Sequence, residues 1–281
     1  MSIRQFGVAL VILSMDGKET LLDPGAKMCP YGTLDWRHSG AGAVRQSDHG
    51  AGFAVTPLQV YASNSVRRTG DITLDQHGGI AGTLQIVMTG QSALAWRQTA
   101  LRNDADELKK QFDRGLEEMV PDGVEAHLDH FLGLDQPDNL LMAVIRVKGS
   151  LGTATAKRLI LPGFFFETRG RTPFVNEEKR LEPVDMHYAD RVTDQVTYNL
   201  PAGTAIEGAP PDTRISWEGH ALYIAKSKTD PGQIVAERSL ARAFTFASQD
   251  EYQDLRGFYQ KVAAADQQQL VLTASPAPKG N

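Results

Sequence analysis

The amino-acid sequence predicts a mainly β protein of the α+β kind, an antiparallel, sandwich-like β region with a few helices. Three observations predict it. Short apolar and β-branched runs recur along the 281 residues, several of them alternating with period two. Gly, Pro, Asn and Asp clusters separate these runs at fairly regular spacing. Helical periodicity is confined to three segments.

The strand signals start at the N-terminus. Gly7-Val8-Ala9-Leu10-Val11-Ile12-Leu13 is followed by Asp16-Gly17, a hairpin signal, and then by Glu19-Thr20-Leu21-Leu22. The apolar opening has the length of a signal-peptide core, but no small-residue cleavage site follows, so it reads as a strand. A chain that opens inside a hairpin is expected to be part of something longer. Residues 40–52 are polar and glycine-rich and read as a loop or linker. Residues 71–75 and 80–88 flank Gly78-Gly79 as a second hairpin. Further strands are expected at 140–147 and 157–161, at 192–198 and 221–225, and within 234–246.

The first helical segment, 92–101, has a weak apolar stripe. The second, 104–119, places Leu108, Phe112, Leu116 and Met119 on one face, with Asn103 as a cap and Pro121-Asp122-Gly123 as a stop. The third opens with the capping box Ser248-x-x-Glu251 and carries Tyr252, Leu255, Tyr259 and Val262 on one face. The tail from residue 275 onward reads as disordered.

Lysine plus arginine number 29 and aspartate plus glutamate 34, a net charge of −5. With no dense basic run, this argues against a protein that lives on nucleic-acid phosphates or anionic lipid. No apolar run is long enough for a membrane-spanning helix. A single cysteine, Cys29, excludes an internal disulfide and any multi-cysteine metal site.

Candidate chemistry is sparse. His127-Leu128-Asp129-His130 is the one histidine cluster, and it lacks a third ligand at motif spacing, so no metal is expected. On a strand, His127 and Asp129 would share a face and His130 would point away. There is no Gly-x-Ser-x-Gly elbow, no phosphate-binding loop and no dinucleotide fingerprint, so no cofactor is expected. The carboxylate pairs Glu117-Glu118 and Glu177-Glu178 read as solvated faces. Cys29 lies in the turn Met28-Cys29-Pro30-Tyr31-Gly32, away from any helix N-terminus that would activate it.

Phe6-Gly7-Val8-Ala9-Leu10-Val11, Asp16-Gly17-Lys18, Leu22-Asp23-Pro24 and Pro30-Tyr31-Gly32-x-Leu34 together resemble the end of a transglutaminase-like, papain-type core. The resemblance is to bacterial multidomain proteins in which β-rich domains of unknown function flank such a core. It implies a catalytic histidine on the first strand, an orienting aspartate in the Asp-Pro that ends the next, and a nucleophilic cysteine on a helix well upstream. Asp23 matches the aspartate, while Val8 stands at the histidine position and Cys29 lies on the wrong side of the aspartate. Asp23 is therefore the one catalytic position carried over, as a vestige, and the resemblance implies ancestry without activity. From about residue 56, Gly163-Phe164-Phe165-Phe166, Arg171-x-Pro173-Phe174 and Tyr252-x-x-Leu255-x-x-Phe258-Tyr259 resemble the family's downstream β region. The aromatic run 164–166 is expected to be buried.

The expected organisation is a core remnant and linker over 1–55, a β-rich region over 56–270 with a break near 165–190, and a tail over 271–281. The expected function is a non-catalytic binding or structural module. The alternative is an accessory part of a cysteine peptidase or acyl-transferase completed by an upstream segment. That segment, or a second copy at the edge of the first hairpin, is the expected partner. The resemblance also implies an exported or periplasmic parent protein.

Overall fold

The computed structural model describes residues 7–48, 50–155, 157–167 and 172–273. Met1 to Phe6, Arg171 and the tail from residue 275 lie outside the described residues, and with them the expectations made there; residues 271–273, expected to belong to the tail, instead end a strand that pairs in a sheet. Strands β1 (Val11–Met15) and β2 (Lys18–Leu22) pair from Val11↔Leu22 to Met15↔Lys18. Asp16 and Gly17 in the two-residue loop take φ of 50° and 74°. That left-handed pair is what a hairpin turn matched to strand twist requires.

A single 3-10 turn, Trp36–His38, leads to a second hairpin, β3 (Gly42–Ser47) and β4 (Gly50–Val55). The loop expected over 40–52 is thus largely strand. Glycine and alanine weaken a strand without forbidding it, and the ladder needs only backbone groups. Val44 stands opposite Phe53 and supplies the cross-strand pair.

Next come β5 (Ser65–Leu74), β6 (Gly79–Met88), α1 (Gly90–Ala100), α2 (Ala105–Met119), β7 (Val124–Leu132), β8 (Leu141–Ser150), β9 (Thr153–Ala154) and β10 (Arg158–Pro162). The remainder is β11 (Val184–Asp185), β12 (Asp190–Asn199), β13 (Ile206–Gly208), β14 (Thr213–Trp217), β15 (Ala221–Asp230), β16 (Gln233–Arg242), β17 (Phe246–Ala247), α3 (Tyr252–Asp266) and β18 (Gln269–Thr273). Eight strands form the main sheet in the order β14-β15-β16-β12-β5-β6-β8-β7. A four-stranded sheet, β13-β18-β10-β9, shares its hydrophobic core.

The mainly β expectation holds, and the ladder is mixed at one joint. β12 runs parallel to β5 from Arg191↔Ser65 to Asn199↔Thr73, and every other pairing in the main sheet is antiparallel. A parallel pair needs a long crossover, and residues 75–189 supply it. The sheet is therefore two antiparallel halves joined edge to edge.

The helices follow their stripes. Leu108, Phe112 and Leu116 of α2 are buried. Its cap is Asp104, whose carboxylate accepts the Glu107 N–H at 2.9 Å, while Asn103 donates instead to the Thr99 carbonyl near the end of α1. The capping box before α3 forms: Glu251 Oε2 accepts the Ser248 N–H and hydroxyl, both at 2.8 Å. Phe164, Phe165 and Phe166 are all buried. Among the described residues no helix is long and apolar enough to cross a membrane.

Candidate functional site

Asp23 follows β2 directly, where Pro24 ends the strand. The turn beyond it closes through the backbone, Ala26 N–H to the Asp23 carbonyl at 3.2 Å, and leaves the carboxylate free to point inward. The side chain is fully buried. Its Oδ2 accepts the Asp35 N–H at 3.2 Å and lies 2.6 Å from His38 Nδ1. Its partners thus come from the 3-10 turn rather than from the turn beside it, as an aspartate at a strand end would suggest. Oδ1 is buried and meets no hydrogen-bond partner among the described residues.

Asp35 caps the 3-10 turn by accepting the Arg37 N–H at 3.0 Å, and it also binds the Arg37 guanidinium through both oxygens. Those arginine bonds hold the Asp35 carboxyl below its usual range, against the opposing effect of burial. The capped turn presents the His38 ring to Asp23. Thr56 donates its hydroxyl to the His38 carbonyl at 2.6 Å, fixing the residue from behind.

A buried amide docks this segment on the body of the fold. Gln91, in the first turn of α1, accepts the Trp36 N–H at 2.9 Å and donates to the Leu34 carbonyl at 2.7 Å. The Trp36 ring stacks on His187 at 4.2 Å between centroids.

Cys29 sits beside this pair without serving it. Its thiol donates to the Thr33 carbonyl at 3.2 Å. Burial first, then the charges of Asp23 and Asp35, push the thiol up to about 12. At neutral pH the thiolate fraction is then on the order of 10⁻⁵, too small for a nucleophile. Val8, at the position the resemblance gives to a histidine, is partly exposed on the approach to β1. The histidine that meets Asp23 is His38, fifteen residues on. Its ring makes one hydrogen bond among the described residues, and that bond is to Asp23. A carboxylate and an imidazole are thus together, and the Cys29 thiol beside them is raised rather than activated.

The histidine cluster on β7 gathers no ligand set. A bulge between Leu128 and His130 resets the alternation, so His127, Asp129 and His130 are all exposed. His127 pairs with Asp113 at 3.3 Å and His130 with Asp129 at 2.8 Å. No group of three or more metal-ligating side chains gathers among the described residues.

The strongest electrostatic feature is a buried row that crosses the parallel joint. Arg68 on β5 stands in register with Asp194 on β12, which stands in register with Arg238 on β16. Arg68 binds Asp194 with two bonds, of 2.6 and 2.8 Å, and its third nitrogen reaches Glu167 at 2.9 Å. Arg238 binds Asp266 of α3 at 2.7 and 2.9 Å, and Tyr223 donates to the same carboxylate at 2.8 Å. Burial pulls the Arg238 guanidinium down, but Asp266, Asp194 and Glu167 outweigh it and hold it above the ordinary arginine value. Four residues along the same ladder, on the same face, Arg242 pairs with Asp190. A cavity of about 140 Å³ lies beside the row, lined by Glu167, Arg238, Arg242, Tyr259 and Asp266 among others. Among the described residues its lining holds two acidic and two basic side chains. Sequence reasoning did not anticipate this row.

No curated protein matches the chain. The solved structure of a protein described as a "putative protease" from Parabacteroides distasonis is similar at 15% identity with a TM-score of 0.36, over 43% of this chain and 24% of that one. The chain thus spans about a quarter of that protein's length. Residues 157–272, which include β10 to β17, α3 and most of β18, match the family model described as Domain of Unknown Function with solved-structure structure, DUF3858.

Proposed function

We propose that this chain is a non-catalytic binding or structural module, descended from the end of a transglutaminase-like core and the β region that follows it. The state of Cys29 carries the reading: the one cysteine is a hydrogen-bonded thiol raised to about 12, and the residue at the expected base position is Val8. Asp23 keeps its place at the end of β2 but serves His38 and the Asp35 amide, a structural task that ties the first hairpin to the 3-10 turn. On this reading residues 1–55 are the core remnant and linker, and the β-rich region begins at about residue 56. The two isolated hairpins before residue 56 and the large mixed sheet after it support that division.

The test is direct. The purified chain is assayed for amine incorporation into a glutamine substrate, for amidase activity and for peptidase activity, beside Cys29→Ala and Asp23→Ala. The expected result is no turnover by any of the three proteins. Turnover by the wild type that either substitution abolishes would sink the proposal.

A further inference from the structure

The cavity beside the buried ionic row holds donors without acceptors. Arg242 on β16 commits Nε and Nη2 to Asp190, and its Nη1 meets no acceptor among the described residues. Arg238 commits Nε and Nη2 to Asp266, and its Nη1 stands 3.6 Å from Asp194, beyond a hydrogen bond. The Tyr259 hydroxyl of α3 is buried and is likewise unpartnered among the described residues. Burial raises it above the ordinary tyrosine value, against the Arg242 charge beside it, so at neutral pH it remains a protonated donor. All three side chains line the same space of about 140 Å³. Buried donors are rarely left unmade, and three around one cavity call for an occupant rich in acceptors.

The backbone marks the same place. Glu167 and Phe174 take φ of 67° and 65°, a left-handed conformation that is costly for large side chains. Such residues persist where their surroundings hold them, and they cluster at ligand clamps. Glu167 lines the cavity, and Phe174 packs edge-on against Tyr259 at 5.2 Å between centroids.

Charge narrows the occupant. Across the row and its cavity, Arg68, Arg238 and Arg242 stand against Asp190, Asp194, Asp266 and Glu167, three positive charges to four negative. A plain anion would add to that surplus. Glu167 is the surplus carboxylate: Arg68 gives two nitrogens to Asp194 and only one to Glu167. Its side chain is 43% exposed, the most open of the seven. An occupant that brings an ammonium with its carboxylate answers both the donors and Glu167. Val192, Leu240 and Val262 complete the lining with apolar surface.

We infer that this cavity binds a free α-amino acid of about alanine size. Its carboxylate takes the Arg238, Arg242 and Tyr259 donors in charge-assisted bonds, and its ammonium meets Glu167. The space equals roughly five waters at their liquid volume, too little for a long side chain. The inference deepens the binding reading above, and it stands whether or not Cys29 is inert.

Isothermal titration calorimetry of the full chain at pH 7 tests it, with L-alanine up to about 10 mM, a range that reaches weak millimolar binding. The probes beside it are acetate, which has the carboxylate alone, alaninamide, which has the ammonium alone, and leucine, which is too long. The expected result is saturable one-to-one binding of alanine, with each of the three probes weaker by at least about tenfold, the loss of a bond to a charged group. Tyr259→Phe should weaken alanine by about the same factor. Glu167→Gln should weaken alanine and leave acetate no weaker. Thermal melts confirm that both variants are folded, and Tyr259→Phe removes only an unpartnered hydroxyl. No saturable alanine binding, acetate or leucine bound as tightly as alanine, or alanine affinity unchanged in both variants would each overturn the inference. Those outcomes leave the non-catalytic reading standing, since it is decided by turnover.

Discussion

Removing the carboxylate of Asp194 should be among the most damaging single changes in this fold. Asp194 and Arg68 are 4% and 3% exposed and face each other across the one parallel joint of the main sheet. In Asp194→Ala, Arg68 Nε and Nη2 lose the acceptors they hold at 2.6 and 2.8 Å, and Arg238 Nη1 loses a charge at 3.6 Å. A guanidinium left buried beside the Phe166 ring, 4.3 Å away, cannot reach water without opening the sheet. Breaking a buried ion pair from one side costs about 3–5 kcal/mol. Arg68→Met should cost less, because Asp194 keeps part of its pairing with Arg238. The double variant Arg68→Met/Asp194→Leu should recover much of the loss: Arg238 retains Asp266, and Glu167, 43% exposed, can turn to solvent. Urea unfolding of the four proteins gives the cycle, and a coupling of at least about 2 kcal/mol is expected between residues in direct contact. Strict additivity of the two single changes, or a loss below about 1 kcal/mol for Asp194→Ala, would refute the claim that this row holds the two half-sheets together.

Three further outcomes follow from the site and the helix caps. Asp23→Ala should cost about 1.5–3 kcal/mol in denaturant unfolding, and Asp23→Asn distinctly less, because an amide oxygen still accepts the Asp35 N–H; equal stability of all three forms would leave Asp23 with no structural role. Cys29 should react with iodoacetamide at pH 7 at least about a hundredfold more slowly than a free thiol, as a thiol pushed up to about 12 requires, and a rate equal to that of glutathione would contradict its hydrogen-bonded state. The Ser248 amide and hydroxyl hold the Glu251 carboxyl below its usual range. Its contribution is therefore complete above the ordinary glutamate pKa and is lost as pH falls through the lowered value. Thermal melts of wild type and Glu251→Gln should differ at pH 7 and converge under acid, and a gap that stays constant down to about pH 3 would show that the capping charge is idle.

Local pattern in the sequence foretells local structure here, and it fails where two distant segments must meet. The Asp16-Gly17 hairpin, the α2 stripe and the Ser248 capping box each rest on contacts within a few residues, and each forms. The β3–β4 hairpin was hidden because glycine and alanine carry no strand signal of their own, and its ladder sets Val44 opposite Phe53. Asp23 and His38 belong to different elements and follow no motif spacing, so nothing in the chain announced their pairing.

The buried charges are a different case, because half of the signal was present. Arg68 lies in phase with Ile72 and Leu74 on β5, and all three are buried. Asp194 lies in phase with Val196 and Tyr198 on β12, and Arg238 with Ile234, Ala236 and Leu240 on β16. Asp266 continues the stripe of Tyr252, Leu255, Tyr259 and Val262 on α3. A charge on the inward phase of an apolar pattern must find an opposite charge or unfold the element that carries it. With Asp190 and Arg242, which share the inward phases of β12 and β16, three arginines and three aspartates stand in such places, so a neutral set was legible from periodicity alone. Its connectivity was not, because Arg68 and Asp194 are 126 residues apart and meet only through the parallel joint. The joint and the row therefore specify each other: sliding β12 by one residue against β5 would turn Asp194 outward and leave Arg68 buried beside an apolar neighbour. The ion pairs that add little net stability to a folded sheet thus exclude its misregistered alternatives, and the residues that look most out of place in the strand pattern are the ones that set the register.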